Sequence, residues 1–62
     1  MKKAQWSPER ILSLREELEL TQIEFAERVG VRQATISNWE TGKKAPSPMG
    51  ERRLEDIRDG KA

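Results

Sequence analysis

The 62-residue chain contains no cysteine and no histidine. The first absence excludes a disulfide framework and any thiolate metal site, and the second removes the commonest general base and nitrogen ligand. Aromatics are scarce, with two Trp, one Phe and no Tyr. Leu, Ile, Val and Phe together fill 12 positions. That is close to the level at which chains stay disordered, although a net charge of +1 provides little self-repulsion to hold this one open. A domain this short buries only about 60% of the surface its unfolded form exposes, so a thin core and a marginal fold of short helices are expected. No apolar run approaches the roughly 18 residues of a membrane span, and the opening MKKAQWSPE lacks the hydrophobic region of a secretory signal. The expectation is a soluble cytoplasmic protein, one domain over residues 1–62, with no membrane association, no metal and no cofactor.

What is present is distributed unevenly. Residues 9 to 27 carry six acids (Glu9, Glu16, Glu17, Glu19, Glu24 and Glu27) against Arg10 and Arg15, whereas residues 28 to 44 carry Arg28, Arg32, Lys43 and Lys44 against Glu40 alone. A basic end raises the expectation of a polyanionic partner, although charged faces are commonly no more than solvated surface.

Local signals divide the chain into helices. Ser7-Pro8-Glu9 is a helix start: the serine hydroxyl can accept from an orphan amide, and proline needs no donor at the first helical position. Ile11, Leu14 and Leu18 then recur at helical spacing, giving a first helix over about 8–18 with Arg15 near its apolar stripe. Thr21-Gln22-Ile23-Glu24 reads as a reciprocal capping box opening a second helix, whose buried face is Phe25, Ala26 and Val29. Gly30 ends it by adopting the left-handed conformation. A third helix runs over about 33–41 and stops at Gly42, with Pro46 and Pro48 beyond it. After the linker KKAPSP, residues 49 to 58 read as a weak last helix using Met49, Leu54 and Ile57, with Gly50 against it. The fold class expected is all-α, a small bundle of four to five helices.

The third helix has two faces. At about 100° per residue, Ile36, Trp39 and Glu40 share one side, while Ala34, Ser37, Asn38 and Thr41 share the other. Two short helices joined by a tight glycine-containing turn, the second presenting small polar side chains, form a helix-turn-helix over about 21–41. That arrangement can lay its second helix in the DNA major groove.

The stretch TQIEFAERVGVRQATISNWETGKKAPS resembles the Cro and phage-repressor (Xre-like) helix-turn-helix family: TQ, an apolar-Ala step, GV, I-S-x-W-E, then G and Pro. The resemblance extends over residues 8 to 48 and weakens toward 57, where Glu51, Arg53 and Asp56 stand at positions that leucines usually fill. Arg32 replaces the usual Ser or Thr cap, and Glu19 stands where a glycine often makes the turn. The resemblance implies a lambda-repressor-like fold, a prokaryotic or phage source and double-stranded DNA as partner. It also implies that Gln22 bonds a phosphate and that Arg15 and Glu40 form a partly buried ion pair.

Residue chemistry agrees with those roles. Gln33 and Asn38 carry amides that can pair with adenine, Ala34 can touch a thymine methyl, and all three match family positions that meet base edges. Ser37 and Thr35 are short enough to reach bases or phosphates; Ser37 is grouped with the base-contacting set and Thr35 with the phosphate set. Arg32, Lys43 and Lys44 suit phosphates, adding affinity and salt dependence but little sequence selection. Trp39, on the face of Ile36, is a core residue. Trp6 and Leu12 lie off the main stripe and either pack beneath the last helix or form a small dimer patch. Glu16 and Glu17 are adjacent and outward, and no nucleophile stands beside a base, so nothing points to an enzyme. The expected function is a sequence-specific transcriptional regulator, a repressor, acting as a weak or DNA-assisted homodimer. The alternative is a protein-interaction module, such as an antitoxin or antirepressor component, holding a protein partner on the same scaffold.

Overall fold

The computed structural model describes residues 6–61, so the expectation of one domain over residues 1–62 extends beyond the described residues at both ends. Four helices follow one another: α1 (Pro8–Glu17), α2 (Gln22–Val29), α3 (Gln33–Thr41) and α4 (Pro48–Arg58). No strand occurs among the described residues, so the all-α class stands at four helices, the lower of the two numbers expected.

Each boundary has a local cause. Ser7 Oγ accepts from the Arg10 amide at 3.2 Å, with Pro8 in the first turn. At α2 both halves of the capping box are made: the Glu24 amide donates to Thr21 Oγ1 at 3.1 Å, and the Thr21 amide donates to Glu24 Oε1 at 2.9 Å. Gly30 (φ +91°) and Gly42 (φ +83°) end α2 and α3 in the left-handed region. Glu19, between α1 and α2, takes φ +58° without being glycine, a conformation that costs an L-residue roughly 1–2 kcal/mol.

The core gathers one stripe from every helix. Ile11 and Leu14 from α1, Phe25, Ala26 and Val29 from α2, Ile36 and Trp39 from α3, and Leu54 and Ile57 from α4 are buried together with Trp6. Trp6 therefore packs into the core instead of forming a free patch, with the Arg58 guanidinium 5.6 Å from its ring centroid, while Leu12 is only half-buried.

The last helix departs from expectation at one residue. Met49 is 68% exposed and contributes nothing to the core. Gly50 takes the inward place, because the Trp39 ring closes on it: a Cβ there would lie 2.9 Å from Trp39 Cη2. The glycine that looked like a weakness is what allows α4 to seat against α3.

Candidate nucleic-acid interface

α3 is held from behind and open in front. Ile36 is fully buried and Trp39 nearly so, while Gln33 and Ala34 are exposed and Thr35, Ser37 and Asn38 half-buried. The candidate base-contacting residues thus occupy a solvent-facing surface of a helix whose opposite side is fixed.

Arg15 and Glu40 form the expected ion pair. Arg15 Nε donates to Glu40 Oε2 at 2.7 Å and Nη2 donates to Oε1 at 3.2 Å, with the side chains 18% and 6% exposed. Nη1 also donates to the Leu20 carbonyl at 3.0 Å. The bond to Glu40 raises the Arg15 guanidinium above its ordinary pKa. A cation whose pKa is raised on folding loses that stabilisation on the alkaline side only as pH rises through the arginine range, so the guanidinium that links α1 to α3 stays charged through the neutral and moderately alkaline range.

Gln22 has a role that its sequence position did not disclose. Its Nε2 donates to Glu40 Oε1 at 2.9 Å, and its Oε1 accepts from Gln33 Nε2 at 3.3 Å. A line of bonds therefore runs from Gln33 through Gln22 to Glu40 and Arg15. Gln22 retains a second amide hydrogen and stands at the first turn of α2, where a phosphate is favoured. No short-range signal reveals its bond to Glu40, which lies 18 residues away.

The basic residues flank this surface. Arg32 occupies the cap position of α3 in extended backbone, with no side-chain cap bond, so its guanidinium is left for solvent or an anion. Lys43 and Lys44 are exposed in the loop after α3, and the Lys44 amide donates to the Asn38 carbonyl at 3.2 Å. Thr41 Oγ1 donates back to the Ser37 carbonyl at 2.9 Å, which turns that hydroxyl onto its own helix and away from a ligand. Among the described residues no group of three or more His, Cys, Asp or Glu is placed to hold a metal ion, and no helix is long and apolar enough to cross a membrane.

Two helices packed across a glycine turn, the second anchored inward and polar outward, define a helix-turn-helix domain. The sequence profile of the helix-turn-helix family matches residues 11–49, more than half of the chain, and the protein belongs to that family, in its Cro/C1-type branch of DNA-binding transcription regulators. No curated protein and no solved structure matches the chain.

Proposed function

We propose that the protein is a sequence-specific transcriptional regulator that inserts α3 into the DNA major groove and represses by occupying its site. The observation that supports this most directly is the outward surface of α3: uncharged side chains able to hydrogen-bond base edges, on a helix pinned by Ile36, Trp39 and Glu40. Gln33, Ala34, Ser37 and Asn38 meet bases; Gln22, Arg32, Thr35, Lys43 and Lys44 meet phosphates. A nine-residue helix is about 13 Å long and spans roughly four base pairs, too few for useful selectivity. Two copies on paired half-sites, joined weakly or only on DNA, supply the remainder. A domain of this kind acts in the cytoplasm, where its DNA is.

The protein-docking alternative is weakened by Trp6, 4% exposed and packed in the core, which withdraws most of the apolar surface such a partner would need. What remains for it is Ile23, 55% exposed beside acidic Glu24 and Glu27, and Met49, 68% exposed at the start of α4.

The test is selection of bound sites from a random duplex pool with the wild-type protein, Asn38→Ala and Lys43→Ala. Asn38→Ala is expected to relax preference at one position per half-site, about 1–3 kcal/mol of discrimination. Lys43→Ala is expected to weaken all sequences alike and shallow the salt dependence. Equal losses on selected and random DNA for Asn38→Ala would remove it from the base-reading set.

A further inference from the structure

We propose that Arg53 of α4 is a DNA phosphate contact, carried over the turn between α2 and α3; this rests on the DNA-binding reading above and extends its footprint to a helix outside the helix-turn-helix. The position is one that leucine usually fills in the resembling family, so periodicity gave no reason to place a cation there.

The geometry is specific. A Cβ built on Gly30 would lie 3.8 Å from Arg53 Nη1 and 4.0 Å from Cζ, so the guanidinium lies over the side of the turn that the glycine leaves without a side chain. Its root is rigid, because the adjacent Leu54 is fully buried and Ile57 nearly so. The charge has no counter-ion: the two ion pairs among the described residues are Arg15–Glu40 and Arg58–Asp59. Arg28 and Arg32 stand two residues to either side of Gly30, and no Asp or Glu occurs between Glu27 and Glu40. Three arginines are thus rooted at or packed on one turn, and although Glu27 adjoins Arg28 and Glu51, Glu55 and Asp56 flank Arg53 in sequence, none of those carboxylates forms an ion pair with them among the described residues. Such a concentration of like charge is relieved by a polyanion.

The turn is also correctly placed for one. When a recognition helix enters the major groove by its N-terminal residues, the residues just before it stand at the groove wall, where phosphates run. Arg53 lies over Gly30, two residues before Arg32 at the cap of α3. Its competing role is local, as a cation near the carbonyl end of α2, where the helix dipole is negative. That role would act on stability and not on salt dependence, so the two are separable.

Binding of the full chain to a selected duplex and to a random duplex, read by fluorescence anisotropy across a salt series, separates them for the wild type, Arg53→Gln and Arg10→Gln. The last removes an equal charge from the exposed outer face of α1. Arg53→Gln is expected to lower the slope of log affinity against log salt by about 1, to weaken both duplexes by the same factor, and to leave the melting temperature unchanged. Arg10→Gln is expected to retain the wild-type slope. An unchanged slope with a lowered melting temperature would assign Arg53 to the helix end and overturn the proposal. Equal slope changes in both variants would also overturn it, as an effect of net charge alone. Absence of salt-dependent binding by the wild type would defeat the DNA reading itself and this inference with it, a failure distinct from that of Arg53 alone.

Discussion

Glu40 accepts three hydrogen bonds, two from Arg15 and one from Gln22, and so ties α1, α2 and α3 at one point. Truncating it strands a largely buried guanidinium, a loss of about 3–5 kcal/mol that is a large share of the ~5–15 kcal/mol typical of whole domains. Glu40→Ala is therefore expected to unfold the domain or lower its melting temperature severely in a thermal or urea titration. A normal melt accompanied by altered site preference would show that Glu40 acts on DNA and not on the fold. Half of this arrangement was legible in the sequence, because the resemblance implies the Arg15–Glu40 pair. The amide of Gln22 was not, since its partner is fixed by how two helices cross and not by any local pattern. Glu19 lay between these cases: its position marked it as a glycine substitute, and its left-handed backbone bears that out.

At the scale of the element, helix limits followed from caps that act within four residues, which is why Ser7, Thr21, Gly30 and Gly42 set them correctly. The buried face of α4 was harder. Spacing alone assigned Met49 inward, but the Trp39 ring occupies that end of the helix and admits only a residue without a side chain. Gly50→Ala tests this. In an open helix the change would add roughly 1 kcal/mol; here the new Cβ falls 2.9–3.0 Å from the Trp39 ring, and a net loss of about 1–3 kcal/mol is expected from overpacking. Denaturant unfolding gives the size, and Trp39 emission reports the displacement. A stabilised variant would mean that α4 shifts away without cost and that the close approach is incidental.

For the whole molecule, dimensions constrain assembly. The protein extends 33 × 25 × 19 Å, and half-sites one helical turn apart lie about 34–36 Å centre to centre. Were two copies placed on such half-sites as proposed, they would meet at most at their edges, even with the longest dimension along the duplex, as the proposed DNA-assisted association requires. Inserting about five base pairs between half-sites turns one copy to the opposite side of the duplex. Cooperative binding is expected to vanish in a gel-shift titration while affinity for a single half-site persists. Cooperativity that survives the insertion would rule out edge contact between neighbours. The asymmetry of charge, acidic before residue 28 and basic after it, was visible in the sequence; that Arg53 returns to the basic side was not, because only the packing of α4 on α2 brings it there.

The bond from Gln33 to Gln22 divides the reading surface in a way that bears on how such a protein could diverge. Gln33 is joined to the side chains that secure the helices, so exchanging it alters the support as well as the contact. Ala34, Ser37 and Asn38 carry no such attachment through their side chains. On the proposed reading, lineages descending from this chain would acquire new operators most readily at those three positions, with Gln33 the slowest to drift.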